Sequence, residues 1–474
     1  MNAADLFALL PFLLIAGTSV LVLLVIAASR RHWLSLCVTL VGTAAAFGSL
    51  WLVAPLAPRQ VTPLLILDRY ALFYIGLIIA ATFTIAIFCY GYLGRRSETS
   101  EELYVLLLVA TLGSMVLVAS SHFVSFFLGL EILSVALYAL AAYLRTRRRP
   151  LEAGIKYLIL AGSSSAFLLF GMALIYAQLG TMELFRLAAL LAGAQNSPLV
   201  LAGLTFIVTG IGFKLGVVPF HLWAPDVYEG APAPVTALIA TVSKGAMFAL
   251  LLRYFYTAGA LHSRPVFVLF AIIAIASMLI GNLLALLQNN VKRILGYSSI
   301  AHMGYLLVAF EASNTTASEA VAFYLVAYFI TTIGAFGVVT VLSDEERDAD
   351  RLEDYAGLFW RRPMLASIFT LMLLSLAGIP VTAGFFAKFY VVTAGASAGI
   401  WSLIFILVIT SVIGLFYYLR VVITMYARVQ EEGPHAEPHA IGGSYVLVAL
   451  TILLVWLGVH PVPLLNVIRK VLPM

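Results

Sequence analysis

Residues 213–237 read FKLGVVPFHLWAPDVYEGAPAPVTA, and this stretch decides the fold. An apolar segment of membrane length runs into Lys214, and Pro219 follows five residues later. Because proline lacks a backbone N–H and clashes with the preceding turn, we expect the helix to break at Pro219, at mid-membrane depth. Lys214 would then lie near the carbonyl end of the first half-helix, whose dipole favours a cation. Since a charge at the centre of a membrane helix costs about 2.5–3.5 kcal/mol, the stretch predicts an ion-handling site in a transporter-like membrane protein.

The composition of the whole chain agrees with a membrane protein. Its 474 residues are 63% hydrophobic and 10% charged, whereas a soluble chain has about 25% charged residues. Apolar runs of about 20 residues recur from end to end, and each is long enough to cross a hydrocarbon core of about 30 Å. We therefore predict an all-α polytopic membrane protein, a single transmembrane domain over residues 1–474 that contacts the lipid bilayer. The first run, 6–28, lacks a basic n-region and an evident cleavage site, so we interpret it as a retained span.

The cysteine, charge and glycine patterns exclude several classes of protein. Cys37 and Cys89 both lie inside apolar runs, which excludes a disulfide framework, an iron–sulfur cluster or a cysteine zinc site on this chain. The basic residues behind the net charge of +5 are scattered through loops and spans, so nucleic-acid binding is unsupported. The run GIGFKLG at 210–216 has the wrong spacing for a dinucleotide motif and lies in a membrane helix. We expect no cofactor and no metal on this chain.

Two predicted spans contain helix-breaking residues, and they lie five spans apart. Span seven contains Pro219, and span twelve contains GIPVTAG (378–384) with Pro380. Since five is odd, a repeat with that offset must be inverted across the membrane. We predict N-terminal spans over 1–100, a first five-helix repeat over 101–260, a second, inverted repeat over 261–430, and a last span within 431–474. The fourteen predicted spans run at 6–28, 33–54, 70–93, 102–119, 122–143, 154–178, 199–223, 233–256, 265–287, 293–311, 317–342, 364–395, 399–427 and 442–467.

The basic residues of the loops predict the orientation. Loops after odd-numbered spans hold most of them, including Arg30, Arg95, Arg148 and Lys292, so we expect these loops in the cytoplasm. An even number of spans then places both termini on the periplasmic side of a bacterial inner membrane. The loop DVYEGAPAP has no basic residue, and a basic pair at 469–470 runs against the bias.

Four ionisable residues lie deep inside predicted spans: Glu131, Lys214, Lys244 and Lys388. Glu131 is about ten residues into span five, which at 1.5 Å per residue is about 15 Å deep. Lys244 is about eleven residues into span eight, too far from either end for snorkelling, and Lys388 follows the second break. Each could merely pair two helices. Because an isolated charge near the midplane is costly, we predict instead that these four residues bind and release protons.

Four further residues are weaker candidates. His302, in the middle of span ten, suits a proton relay because imidazole titrates near neutral pH, although a hydrogen bond to a neighbour is the alternative. Lys156 and Lys292 lie near span ends, where snorkelling and a proton uptake route are equally favoured. His221 is either an interfacial anchor or part of the site. The serines at 163–165 fit helix packing better than a water path.

At these residues the chain resembles the antiporter-like subunits of respiratory complex I. FKLGVVPFHLWAPDVYEGAPAPVTA is similar to the signature around that family's broken seventh helix, and the resemblance extends from about residue 65 onward. Lysine at 388 and the sequence PFHLWAPDVYEGAPAPV resemble the N-type subunits of this family more than the L-type and M-type subunits. The other matching segments occur in the family's order: FFLGLEILSVALYAL (126–140), RTRRRPLEAGIKYLILAGSSSAF (145–167), SKGAMF (243–248) and GIPVTAGFFAKFYVV (378–392).

The resemblance implies a role for each deep residue. Glu131 and Lys214 would form a coupled pair, Lys244 would be the central proton carrier, and Lys388 would face the exit route. FMN, iron–sulfur clusters, NADH and quinone would belong to partner subunits, alongside other membrane subunits of the complex. The expected function is a proton-translocating membrane subunit of an NADH–quinone oxidoreductase, with no redox chemistry on this chain.

Two alternatives stay open. The chain could belong to a multisubunit sodium/proton antiporter or a membrane-bound hydrogenase, which use similar subunits. It could also be a non-pumping membrane scaffold, which should tolerate the loss of its buried charges once assembled.

Overall fold

The computed structural model describes residues 2–96, 101–194, 197–258, 264–428 and 441–472. The predicted boundaries after residues 100, 260 and 430 lie outside these ranges. Through residue 258 the helices are α1 (Ala3–Ala8), α2 (Leu10–Ala28), α3 (His32–Val53), α4 (Arg69–Leu93), α5 (Glu102–Val118), α6 (Phe123–Ala141), α7 (Arg148–Leu179), α8 (Leu184–Ala194), α9 (Pro198–Leu215), α10 (Trp223–Gly230), α11 (Ala233–Leu238) and α12 (Lys244–Ala258). The remaining helices are α13 (Arg264–Leu286), α14 (Val291–Ala312), α15 (Thr315–Leu342), α16 (Leu358–Arg361), α17 (Pro363–Ala377), α18 (Ala383–Ser397), α19 (Trp401–Tyr426), α20 (Ile441–Val459) and α21 (Val462–Val471).

The predicted helical membrane fold is confirmed. Within the described residues, eleven helices are long and apolar enough to cross a membrane. Together with α5, α14 and the interrupted pair α17 and α18, they occupy the positions of the predicted spans. The exact number of crossings and the inverted repeats stay predictions.

Both predicted helix breaks are confirmed, and a glycine ends the first half-helix in each. Helix α9 ends before Gly216 (φ 70°), and α17 ends before Gly378 (φ 87°), so both glycines adopt the left-handed conformation of a helix C-terminus. Pro219 and Pro380 follow within three residues and prevent the helix from continuing. The chain becomes helical again at α10 and α18.

Three local features differ from the sequence prediction. An antiparallel hairpin of β1 (Arg59–Thr62) and β2 (Leu65–Leu67) precedes α4. Helix α8 was not predicted, and its eleven residues are too few to cross a bilayer. The predicted last span, 442–467, is too long, because α20 ends before Pro461 and α21 begins beyond it.

Contacts divide the chain into two compact units. The first unit contains Met1–Ala86, Thr99–Trp223 and Val242–Phe270. In it α5 packs closely on α6, because a Cβ on Gly113 would lie 2.5 Å from the Leu133 nitrogen. The second unit contains Ile87–Glu98, Ala224–Thr241 and Ala271–Met474. Its α14 is buried along almost its whole length and approaches α13 at Gly304.

Candidate functional site

Lys214 lies in the last turn of α9, at the first helix break. Its side chain is 3% exposed, and its Nζ donates to Ser134 Oγ on α6 (3.0 Å) and to Tyr157 OH on α7 (3.1 Å). The ammonium also lies 5.3 Å from the centre of the Tyr157 ring, a cation–π geometry. The half-helix therefore ends at a buried cation, as the sequence predicted, and the contacts of that cation are neutral oxygens and a ring.

Glu131 lies one helical turn before Ser134, so both residues belong to the same face of α6. Its Oε1 accepts a hydrogen bond of 2.5 Å from Ser165 Oγ on α7. The serine patch therefore includes a direct contact to the deep carboxylate, in addition to the packing role that the sequence favoured. Glu131 thus bonds α7, and Lys214, on α9, bonds both α6 and α7, with its α6 partner Ser134 one turn from Glu131.

Two stacked aromatic rings, of Tyr157 and Trp223, lie at the helix break beside Lys214. The Trp223 ring stacks on the Tyr157 ring at a centroid distance of 4.7 Å and an interplanar angle of 8°. Its Nε1 donates to the Phe213 carbonyl oxygen (2.9 Å), which also accepts from the N–H of Gly216, the residue that caps α9. Between the half-helices, His221 is buried, and its Nδ1 lacks a hydrogen-bond partner among the described atoms. Whether His221 is an interfacial anchor or part of the site stays a prediction.

Lys244 is the first residue of α12 and is 0% exposed. It follows a π-helical turn, Ile239–Ser243, a local widening of the helix that is frequent at functional sites. The side chain of Ser243, directly before Lys244, lies near the Tyr157 hydroxyl, which is also an acceptor for Lys214. Tyr157 therefore links the first deep lysine to the turn that presents the second.

Lys388 lies six residues into α18, after the second break. Its Nζ donates to the carbonyl oxygen of Ala377, the last residue of α17, and to Ser411 Oγ on α19, both at 2.8 Å. It also lies 5.1 Å from the centre of the Tyr305 ring. At both breaks a side chain beyond the break, Trp223 or Lys388, therefore donates to a carbonyl near the end of the preceding half-helix.

His302, on α14, lies in a cluster of hydroxyl groups. Its Nδ1 is 2.6 Å from Tyr324 OH and its Nε2 is 3.3 Å from Tyr418 OH. The Tyr418 hydroxyl also contacts Ser298 Oγ. Nearby on the same helix, the Tyr305 hydroxyl accepts from Asn282 Nδ2 (2.9 Å). A titratable ring bonded to hydroxyls at both nitrogens is suited to relaying protons.

Lys156 and Lys292, which the sequence could not assign, have different environments. Lys156 is 43% exposed and pairs with Glu152 (2.8 Å), so it lies on an accessible face of α7. Lys292 is buried, and its Nζ donates to Asp348 (2.7 Å) and to the Ala231 carbonyl oxygen (2.6 Å). Lys292 therefore anchors the chain after α10 and the loop after α15.

Asp348 receives three contacts in that loop. Besides Lys292, the Arg96 guanidinium lies 3.3 Å away, and Tyr92 OH donates at 2.6 Å. Burial by itself raises the pKa of the Asp348 carboxyl. The Lys292 and Arg96 charges and the hydrogen bonds outweigh burial and hold this pKa below its ordinary value. The loop is therefore fixed by a charged cluster outside the spans.

The residue after Lys292 holds α10 itself. Arg293 Nη1 contacts Asp226 (2.7 Å) and Glu229 (2.9 Å), which lie one turn apart on α10. Two consecutive basic residues at the start of α14 thus fix the second half of the broken helix and the segment that follows it.

Glu311 was not among the residues predicted from the sequence. It lies in the last turn of α14, is 4% exposed, and neither carboxylate oxygen has a hydrogen-bond partner among the described atoms. The sequence signal was weak because the predicted span ended at this residue, where a carboxylate usually reaches water. Among the described residues, no group of His, Cys, Asp and Glu is arranged to hold a metal ion.

The chain is similar to known proteins, and its relatives match it over nearly its whole length. A family model described as "NADH:quinone oxidoreductase/Mrp antiporter, TM" matches residues 120–414, which include every deep residue from Glu131 to Lys388. A NADH-quinone oxidoreductase subunit N from Nitrosospira multiformis is 56% identical, covering 98% of this chain and 96% of the relative.

Two solved structures are also similar to the chain over nearly all of its length. One chain of respiratory complex I from Thermus thermophilus with bound aureothin is 32% identical, with a TM-score of 0.83, covering 96% of this chain and 98% of that one. A chain of the membrane-bound sulfane sulfur reductase, an archaeal respiratory membrane complex, is 26% identical, with a TM-score of 0.87, covering 98% of this chain and 96% of that one.

Proposed function

The chain belongs to the NADH:quinone oxidoreductase/Mrp antiporter membrane family, and we propose from this premise how its buried charges move protons. It is a multi-pass, proton-translocating membrane subunit of a bacterial NADH–quinone oxidoreductase and assembles with other membrane subunits. The roles of its individual residues are the proposal.

The environment of Lys214 is the observation that supports the proposal most. Its buried ammonium lies at the carbonyl end of a half-helix and is bonded to two neutral hydroxyls, with Glu131 one turn of α6 away from one of them. A buried cation whose hydrogen-bond acceptors are neutral can lose its proton without leaving an unpaired carboxylate in contact with it. The nearby carboxylate favours the charged lysine from a distance.

In the first unit the proton leaves Lys214 for Lys244. When Glu131 is neutralised or withdrawn, the charged form of Lys214 loses its electrostatic support and releases its proton. The Tyr157 hydroxyl, which contacts Lys214 and is near Ser243, lies on the way to Lys244. The Trp223 ring on Tyr157 excludes water from one side of this route.

In the second unit His302 and Lys388 perform the corresponding steps. His302 exchanges protons with the Tyr324 and Tyr418 hydroxyls, and Lys388 holds a proton beside the carbonyl that ends α17. His221 is a secondary candidate in the first break, and Lys292 has an anchoring role.

The driving energy comes from partner subunits. FMN, iron–sulfur clusters, NADH and quinone belong to those partners, because the sequence of this chain has no flavin, cluster or nucleotide motif. The arginine-rich loops face the cytoplasm, and both termini face the periplasm. A second candidate, a subunit of a sodium/proton antiporter complex, is favoured by the family itself, which includes Mrp antiporters.

The test uses Lys214→Met and Glu131→Gln in the assembled enzyme in proteoliposomes, with proton translocation and NADH oxidation measured together. We expect each change to abolish most coupled translocation. The matched control is Arg186→Met, which removes an exposed cation of the first unit that pairs with Glu183, the residue before α8. Wild-type translocation in either variant would refute the central assignment. Purification without flavin or iron–sulfur partners would favour the antiporter complex.

A further inference from the structure

Glu311 is a buried carboxylate in surroundings that do not stabilise its charge. It is 4% exposed, and both oxygens lack a hydrogen-bond partner among the described atoms. Its position in the last turn of α14 places it at the negative end of the helix dipole. Taking an ionised carboxylate out of water without a partner costs several kcal/mol, so a group like this is either protonated or hydrated.

The neighbouring helix α13 offers no compensating charge. Gly304 and Glu311 are seven residues apart and therefore lie on the same face of α14. A Cβ added to Gly304 would lie 2.8 Å from the Met278 side chain and 3.0 Å from the Ala274 carbonyl oxygen, so this face is turned toward α13. Arg264, at the start of α13, is the one ionisable residue of this helix, and it is exposed, whereas Glu311 is buried.

The charged groups on the other packed helices are already engaged. On α15, Glu319 pairs with Arg469 (3.0 Å). On α18, Lys388 donates to Ala377 and Ser411, and on α14 itself Lys292 and Arg293 bond acidic partners at the opposite end. The titratable rings nearest along the helices are those of His302 and Tyr324, which bond each other, and of Tyr390 on α18.

A second buried polar group lies at the same end of the helix pair. After the turn at Ser313 and Asn314, Ser318 is in the first turn of α15, is buried, and its Oγ has no partner among the described atoms. Buried polar groups that lack protein partners are usually satisfied by ordered water. The carboxylate and this hydroxyl therefore mark a polar, hydratable region where α14 turns into α15.

Glu311 also ends a series of buried polar side chains along α14. The series begins with Lys292 in the first turn and continues through the serines at 298–299, His302 and Tyr305. Tyr305 is next to Lys388, and Glu311 lies six residues farther along, about 9 Å at 1.5 Å per residue.

We propose that Glu311 is a proton-binding group of the second unit, which accepts a proton on the far side of Lys388 and passes it to the aqueous face opposite the arginine-rich loops. The proposal rests on the proposed function. A proton that leaves the Lys388 ammonium through water forms an O–H bond on the Glu311 carboxylate. The same bond breaks when the proton passes to water, so each cycle restores the carboxylate and transfers one proton.

The test uses the assembled enzyme in proteoliposomes with Glu311→Gln, which keeps size and hydrogen bonding but cannot titrate. We expect proton translocation to fall by about a hundredfold, the lower end of what a proton-transfer group contributes, while the enzyme stays assembled. Glu311→Asp should restore part of it. The matched control is Glu319→Gln, an acid at the same end of the same helix pair that is paired at the surface, and it should translocate as the wild type does.

Infrared difference spectroscopy during turnover gives a second, direct reading. We expect a neutral-carboxyl band that changes during turnover, disappears in Glu311→Gln and shifts in Glu311→Asp. Absence of a band that responds to both variants, or wild-type translocation by Glu311→Gln, overturns the proposal. If Lys388→Met abolishes translocation and Glu311→Gln does not, only the Glu311 assignment fails. If neither change matters, the proposed function of the second unit fails as well.

Discussion

Single residues show a difference between the lysines that we propose exchange protons and a lysine that anchors the fold. Lys214 and Lys388 bond neutral oxygens, from Ser134 and Tyr157 in one case and from a carbonyl and a serine in the other. Lys292 instead contacts the Asp348 carboxylate. Removal of this partner would leave that carboxylate with less compensation, so Lys292 stabilises the structure through the ion pair.

This difference leads to a prediction about pH. Because the folded pKa of Asp348 is lower than the unfolded one, its ionisation stabilises the fold above the unfolded value near 3.8, and this contribution is lost as the pH falls through the folded value. We expect Asp348→Asn to lower the free energy of unfolding at neutral pH by about 3–5 kcal/mol, because it leaves Lys292 and Arg96 without their anion. Thermal unfolding in detergent from pH 7 to pH 3 measures both effects.

The difference in melting temperature between wild type and Asp348→Asn should stay constant down to about pH 4 and shrink below it. Glu345→Gln, in the same loop but exposed, is the control and should unfold as the wild type does at every pH. A difference that grows as the pH falls would contradict the assigned charge state.

The sequence identified the deep charges at this scale but not their partners. Lys214 and Lys244 were found because a charge in an apolar run is rare and costly. Ser134, Tyr157 and Ser165 were missed as site residues because a hydroxyl in a membrane helix more often serves packing. Glu311 was missed because only the fold decides whether a residue at a helix end reaches water.

Among the elements, the two broken helices were predictable and the widened turn before Lys244 was not. Glycine and proline change the conformation of their own backbone, so Gly378 and Pro380 indicate a helix break without knowledge of the tertiary contacts. The π-helical turn Ile239–Ser243 has an ordinary helical sequence, and tertiary contacts select its hydrogen bonding. Helix α8 and the hairpin β1–β2 escaped prediction because both are shorter than the span pattern that organises the chain.

The second break allows a prediction with an internal control. Gly378 has φ 87°, and a Cβ there would lie 2.8 Å from Lys388 Cδ, so Gly378→Ala strains the backbone and also displaces the lysine. Gly180 ends α7 with φ 69°, and a Cβ there would have nothing within 4 Å. Both changes should therefore lower stability by about 1–2 kcal/mol, but only Gly378→Ala should impair proton translocation.

Translocation by the assembled enzyme, compared at equal amounts of folded protein, measures this effect. Equal translocation by the two alanine variants would show that the position of Lys388 in α18 is not critical.

For the whole molecule, the sequence predicts the orientation in the membrane. The positions of the helices alone do not determine it. In a variant without Cys37 and Cys89, a single cysteine is introduced either at Asn2→Cys or at Glu345→Cys, both exposed positions. We expect a membrane-impermeant maleimide to label the first in intact spheroplasts and the second only in inverted vesicles. The reverse pattern would contradict the assigned orientation and exchange the two faces of the proposed proton route.

The bond between Lys388 and the Ala377 carbonyl makes the second break sensitive to force. A charged lysine binds that carbonyl more strongly than a neutral one, so proton occupancy and the separation of the two half-helices depend on each other. Thermodynamic reciprocity then requires that separation of the half-helices changes the proton affinity of the lysine. Conversely, binding of the proton draws the two half-helices together. A displacement imposed by a distant subunit would thus be converted at this bond into a chemical event.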